Sequence, residues 1–484
     1  MKVVKRGEQR VPLKGFRDML PDWVRARDEV VTRLRSVCDM YGFQPMDTPL
    51  LESLRTLVGS GSEETTQQLF RLESPEGEPI ALRFDLTVPL ARFLACHVET
   101  LKLPFRRCHI GSVFRADKPD PGRLRQFTQF DIDIAGCVSV VADAEIIAAM
   151  CEALSALDLK GGSEFRLRFN HRKLMDVLLE ACGICEAVVQ KQVLRVIDKL
   201  DKVGRANVAT ELGEGRVDAS GDVIRGVGLD KAVIDRVLEF IAISGDDRRS
   251  VLGALAAVLP DSEAAIAAVQ EVRELLEALE SLHVSEASAA LDPSLTRGLD
   301  YYTGPVFEAE LCNAARYGSV MGGGRFDCLV ERFLPTAIPA TGGSIGVDRL
   351  MDALEASGKL PSPGSATQVL IVGLKGVAPT ELLKTAQLLR GAGIATEVYM
   401  RRMMGSTALG KQLAYANARH IPIAVILGED EVCSETVSVK DLVEGSISRV
   451  HIDDHRTYVK EGKVGQITVP RKDLVAVLQR WLRR

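Results

Sequence analysis

The chain has 484 residues, 46% of them hydrophobic and 26% charged, and a formal net charge of −5. That length accommodates two or three domains with cores of their own, and the composition is ordinary for a globular protein. The mild acidity leaves any nucleic-acid contact to a local basic surface, and no apolar run approaches the roughly 20 residues that cross a bilayer.

In chain order, the opening MKVVKRGEQRVPLKG carries charge without an apolar core and is not expected to be a secretory signal. Residues 22–41 place Val24, Val30, Val31, Leu34, Val37, Cys38 and Tyr41 on one helical stripe, closed by Gly42. The stripe suits either a helix on its own sheet or a helix against a second subunit. Residues 43–51 read as extended, with Pro45 and Pro49 pointing to an edge or a strand end. Between 80 and 136, short β-like runs such as 109–114 and 126–135 alternate with loops, which predicts an antiparallel sheet. An Ala-rich helix is expected over 143–157. Helical periodicity then dominates from 174 to 291, and sheet-forming sequence resumes at Thr296. Residues 357–367 (SGKLPSPGSAT) read as a linker. Beyond it, apolar strands at 369–372, 395–399 and 423–427 alternate with helices at 380–391, 411–419 and 474–481. This pattern predicts an α/β domain with a covered, mostly parallel sheet. The role of 446–468 stays open.

Ten cysteines without a repeated framework fit a reducing, cytoplasmic setting. Cys182 and Cys185 have redox or metal spacing, but no second pair or nearby histidine accompanies them, so both read as buried thiols. The seven histidines show no ligand spacing either. No metal site built from Cys or His is expected.

The densest chemistry lies in Arg297-Gly298-Leu299-Asp300-Tyr301-Tyr302-Thr303-Gly304, a cation, a carboxylate and two phenols ahead of a small-residue turn. If extended, the segment directs Asp300 and Tyr302 to one face and Tyr301 to the other. A guanidinium there can grip a phosphate or carboxylate, and a phenol can bond a heteroatom of a small polar ligand. An Arg–Asp pair tying a sheet edge is the plain structural alternative.

This string resembles a signature of histidyl-tRNA synthetases. So do Lys14-Gly15-Phe16-Arg17-Asp18-Met19-Leu20-Pro21, Arg83-Phe84-Asp85-Leu86-Thr87-Val88-Pro89, and Val113-Phe114-Arg115 leading to the run from Gly122 to Asp133. Gly322-Gly323-Gly324-Arg325-Phe326-Asp327 and the run from Gly343 to Leu350 complete the ordered set. The resemblance implies an α/β protein: an α+β class II catalytic domain on an antiparallel sheet (1–173 and 292–356), a helical insertion (174–291), the linker, and an α/β anticodon-binding domain (368–484). It implies a ligase that activates L-histidine with ATP and Mg²⁺ and transfers it to histidine tRNA, a cytoplasmic homodimer with no membrane part.

The resemblance also implies residue roles. Arg115 and Arg297 would be catalytic, holding the α-phosphate and the histidine carboxylate, where relatives of other specificity often use a metal. Arg349 would hold the γ-phosphate and Arg123 the outer phosphates, with Phe127 stacked on adenine and Asp117 near its amino group. Asp85, Thr87 and Gln129 would supply acceptors to the histidine α-ammonium from adjacent strands, with Leu86 also among the histidine-binding residues. Asp133 and Tyr302 would read the imidazole, with Tyr301 as accessory; many bacterial relatives carry Glu where Asp133 stands. Gly322-Gly323-Gly324 is expected to be a turn that lets backbone approach the ligand. Across residues 118–121 this chain has Asp120 where many bacterial relatives have a glutamine that helps read an extra 5′ guanosine of the tRNA.

Overall fold

The computed structural model describes residues 11–58, 66–217, 221–297, 301–362, 364–400, 408–443 and 465–483. The chain forms two compact units, Met1–Pro361 and Ser362–Arg484. Among the described residues no helix is long and apolar enough to cross a membrane.

The first unit is organised by an eight-stranded sheet. Its strands are β1 (Gln44–Pro45), β2 (Phe105–Phe114), β3 (Gln126–Ala135), β4 (Phe165–His171), β5 (Ala289–Leu291), β6 (Pro305–Leu311), β7 (Met321–Arg325) and β8 (Ala340–Gly346), in the order β1-β2-β3-β8-β7-β6-β4-β5. The inner pairings are antiparallel, as expected; the two outermost, β1 on β2 and β4 on β5, are parallel.

Strand β3 shows how this sheet makes a site. Side chains alternate faces along a strand, so Phe130, Ile132 and Ile134 enter the apolar core while Gln129, Asp131 and Asp133 share the other face. The core side is covered by helices α1 (Pro21–Met40) and α3 (Val141–Ser155). Helix α3 is apolar nearly all round because it lies between the sheet and α5 (Glu263–Ser281), leaving it little solvent face. Proline at its N-terminus and Gly42 (φ +71°) just past its end bound α1. Its stripe, including Val30, Leu34 and Cys38, is buried on this same core, so the intramolecular packing is realised.

From α4 (Arg172–Ala181) to α5 the chain is helical apart from a short pair, Gly215–Val217 with Val223–Arg225. The main sheet resumes at Ala289, ahead of the expected Thr296. Three residues are too short a run to show a strand period, and only the pairing of Ala289 with Leu167 identifies β5.

The second unit contains β9 (Val369–Gly373), α6 (Pro379–Gly391), β10 (Thr396–Val398), α7 (Ala408–Ala418), β11 (Ile423–Leu427), β12 (Thr436–Asp441), β13 (Gln466–Pro470) and α8 (Leu474–Trp481). Strands β10, β9 and β11 are parallel, but β12 and β13 add antiparallel pairings, so the sheet is mixed rather than mostly parallel. Both faces are covered: Val369 and Ile371 enter one core, Leu370 and Val372 another. The stretch 446–468 ends in β13, and its residues 446–464 lie outside the described ones.

Candidate active site

The polar face of the sheet forms the floor of a cavity of about 340 Å³. Register sets its chemistry. On β3 and β8, Gln129 lies opposite Gly346, Asp131 opposite Ser344 and Asp133 opposite Gly342; on β7 and β8, Gly322 lies opposite Ser344. Polar side chains thus come from β3 while β7 and β8 contribute almost bare backbone. A Cβ at Gly342 would sit 2.0 Å from Asp133 Oδ1, and one at Gly322 would sit 2.4 Å from Arg297 Nη1. The triple glycine is therefore strand, not the expected turn, and its lack of side chains makes room for the site's own groups.

Four guanidiniums line the cavity: Arg115, Arg123, Arg297 and Arg349. Arg115 Nε donates to the Phe84 carbonyl at 3.2 Å, and its guanidinium lies 4.2 Å from the centre of the Phe84 ring and 5.3 Å from that of Phe127. Arg349 donates to the carbonyls of Gly122 (3.2 Å) and Ser319 (2.8 Å). Arg297 Nη1 meets Ser319 Oγ at 2.9 Å and Glu308 Oε2 at 3.1 Å. Arg123 is half exposed, with Nε 3.5 Å from Asp117 Oδ2. Burial, and after it the charges of Arg123, Arg297 and Arg115, hold Arg349 below the usual guanidinium range. Like charges gathered this closely call for a polyanion.

The rest of the cavity carries carboxylates and phenols. Asp85 lies in a loop and accepts the Val88 N–H at 3.0 Å in the first turn of α2 (Thr87–His97). Asp85 and Thr87 thus reach the cavity from a helix start, not from the adjacent strands expected. Burial pushes the Asp85 carboxyl up. Gln129 Nε2 donates to Ser344 Oγ at 2.8 Å, leaving its buried Oε1 without a partner. Tyr301 and Tyr302 both line the cavity, their hydroxyls 3.4 Å apart and their rings 4.5 Å between centroids. The opposite-faces expectation fails because Tyr301 lies in a turn and strand β6 begins only at Pro305. Asp300 lies outside the described residues.

Every predicted site residue lines this cavity except Leu86, which is fully buried and presents its carbonyl to Arg107 Nη2 at 3.3 Å. Arg83 and Arg325, from the same strings, are structural. Arg83 is buried on the carbonyls of Thr48 (2.7 Å) and Ser112 (2.8 Å); Arg325 pairs with Asp143 and caps the Cys137 and Ser139 carbonyls. The loop after Arg115 closes on itself, Asp120 N–H bonding the Arg123 carbonyl (3.2 Å) and Arg123 N–H that of Asp120 (2.8 Å). Gly122 turns it at φ +70°. Cys185 is exposed, against the expected buried thiol, because it lies past the end of α4; Cys182 is half-buried.

Sequence reading missed Arg107, Asp131, Ser319 and Glu308. Asp131 lies two residues before Asp133, and strand periodicity alone could have flagged it. Arg107 needed the register, since only its pairing with Asp133 across β2 and β3 brings it beside the cavity floor.

A sequence profile described as histidyl-tRNA synthetase matches residues 15–350, and one described as anticodon binding domain matches 368–462. The chain belongs to the histidyl-tRNA synthetase family. It is 40% identical to the histidine–tRNA ligase of Rhizobium leguminosarum, over 96% of this chain and 93% of that one. It is also 40% identical to the corresponding ligase of Caulobacter vibrioides, over 98% and 97%. The crystal structure of a histidyl-tRNA synthetase from a Nostoc species superposes with a TM-score of 0.76 at 29% identity, covering 97% of this chain and 99% of that one. ATP is a substrate of this family.

Proposed function

We propose that the cavity divides its labour between the guanidiniums, which hold ATP and the reacting carboxylate, and the β3 floor, which selects histidine. The activity is that of the family: L-histidine and ATP give histidyl-adenylate and pyrophosphate, and the histidyl group passes to the 3′ end of histidine tRNA. The observation that carries the division is the mutual field of Arg115, Arg123, Arg297 and Arg349 beside Asp85 and the buried Asp131 and Asp133.

The first step brings a carboxylate to a polyphosphate. Alignment and charge neutralisation matter more than proton transfer. Arg115 and Arg297 are assigned to the α-phosphate and the histidine carboxylate, Arg349 to the γ-phosphate and Arg123 to the outer phosphates. Phe127 is assigned to the adenine face and Asp117 to its amino group. Asp85, Thr87 and the free Oε1 of Gln129 suit the α-ammonium. Asp133 and Tyr302 suit the two imidazole nitrogens, with Tyr301 against Tyr302 and Leu86 supporting from behind.

Among the described residues no group of three or more His, Cys, Asp or Glu side chains could hold a metal ion. Mg²⁺ is assigned largely to the phosphates of ATP and to water. Residues 1–173 and 292–356 are assigned to catalysis, 174–291 to an insertion and 368–484 to the anticodon. Homodimerisation and a cytoplasmic location complete the reading. Histidine-dependent ATP–pyrophosphate exchange by the purified protein tests its centre: exchange stimulated by other amino acids as strongly as by histidine would refute it.

A further inference from the structure

Beside the cavity floor lies a guanidinium that the reaction described so far leaves unused. Arg107 on β2 is fully buried, opposite Asp133 on β3. Its Nε is 2.7 Å from Asp133 Oδ2, without the alignment of a hydrogen bond, and its Nη2 is 3.6 Å from Asp131 Oδ2. Nη2 also donates to the Leu86 carbonyl, while Nη1 has no partner. Asp131 and Asp133 both face the cavity and share this one cation.

Burying an arginine beside two carboxylates costs desolvation energy that ion pairing repays only in part, so the arrangement calls for a use. We propose that Arg107 is a positioning residue for histidine specificity: wedged between Asp131 and Asp133, it fixes the Asp133 carboxylate in place and favours the charged form that accepts the imidazole N–H. The proposal rests on the reading that Asp133 receives the imidazole. It supplies what a short aspartate lacks, since Asp133 sits low on the floor and a free carboxylate there would be protonated or turned away.

The neighbouring charges agree. Burial pushes Asp133 up to about 7; Arg107 is the strongest influence holding it from rising further, against Asp131 and then Asp85. Asp131 is raised by burial and Asp85 and lowered by Arg107, Ser344 and Arg115. Tyr302 faces both aspartates and also feels Arg297. On the far side of Arg107, His109 is held neutral at about 4, chiefly by burial, and contacts Asp47 at 2.9 Å. Arg107 is thus the one guanidinium paired with Asp133 among the described residues.

The test is pyrophosphate exchange by the full-length protein, with histidine and ATP varied separately and kcat/KM for histidine followed against pH. Asp133→Asn checks the underlying reading. It should raise the histidine KM on the order of tenfold or more and leave the ATP KM nearly unchanged; no selective effect would sink that reading and the proposal together. Arg107→Met should raise the histidine KM by roughly 10- to 100-fold, with the ATP KM within about threefold. Losing the cation leaves Asp133 easier to protonate, so the acid limb should move to higher pH by about one unit or more. Arg107→Lys should recover part of both changes. Asp131→Asn keeps the Arg107–Asp133 pair and removes a repelling charge, so its acid limb should move to lower pH. In the double variant the limb should return toward wild type. If Arg107→Met does not fold, Arg107→Lys decides alone, by a smaller rise in the histidine KM and a smaller acid-limb shift in the same directions. Acid limbs that stay at the wild-type position in these variants, while Asp133→Asn loses histidine selectively, would overturn the proposal and spare the reading beneath it.

Discussion

The two groups of charge around the cavity are built differently. The guanidiniums of Arg115, Arg123, Arg297 and Arg349 sit on long side chains from loops, a strand end and a helix start, and Arg123 is half exposed. The carboxylates of Asp131 and Asp133 sit on short side chains in mid-strand, buried and locked by register. Long, partly hydrated cations can follow a polyphosphate as it enters, reacts and leaves. Short buried groups cannot adjust, so they reject a ligand that leaves them unpaired. The same cavity thus joins an adaptable end to a rigid one.

Whether these two ends suffice by themselves is tested most severely by removing the second unit. A chain ending at Pro361 keeps every cavity residue. It is expected to lose tRNA charging while retaining pyrophosphate exchange, and a folded truncation without exchange would show that the contrast omits an essential part. At the adaptable end, Arg297→Ala should lower adenylate formation by two to three decades, about 3–4 kcal/mol, with thermal unfolding little changed. Near-normal exchange would remove Arg297 from the chemistry. At the rigid end, Asp133→Ala should raise the histidine KM by roughly 10- to 100-fold and the ATP KM by no more than about threefold. Equal effects on both would erase the distinction. The smallest effect concerns the closed loop from Ala116 to Gly122. Asp120 can only accept hydrogen bonds, whereas an amide reads with donor and acceptor together. Deleting the extra 5′ guanosine from the tRNA is therefore expected to slow charging by less than about tenfold, given that phosphate contacts such as one from Lys118 carry no sequence information. Comparing paired transcripts measures this; a loss of two decades or more would show conventional reading.

The adaptable end was far easier to read from sequence than the rigid one. Arg115, Arg297 and Arg349 lie in short strings that resemble signatures of the family, and the structure brings all three to one cavity. Arg107 lies in RRCHIG, where nothing tells which arginine turns inward. That information resides in the pairing of β2 with β3, a contact between residues 26 apart whose register no local pattern encodes. The glycines of β7 misled for a related reason. Three in a row usually mark a turn, but here they keep a strand bare so that Arg297 and Tyr302 can lie against it. In the second unit, β9 and β11 were plain from their apolar runs. Strand β12 was missed although Val437 and Val439 alternate in it, because Ser438 and Lys440, also buried, break the hydrophobic signal.

The absent side chains of β7 and β8 bear on attempts to retarget the site to another amino acid. Enlarging a pocket usually means trimming a side chain, and reshaping it means adding one. Here there is nothing to trim at 322 or 342, and a single added methyl would collide with the arginine or the aspartate. Size and charge are consequently not separate variables in this pocket. A redesign that altered the shape of its walls would have to move the charged groups in the same step, and single-substitution libraries at these glycines should yield losses of function rather than new substrates.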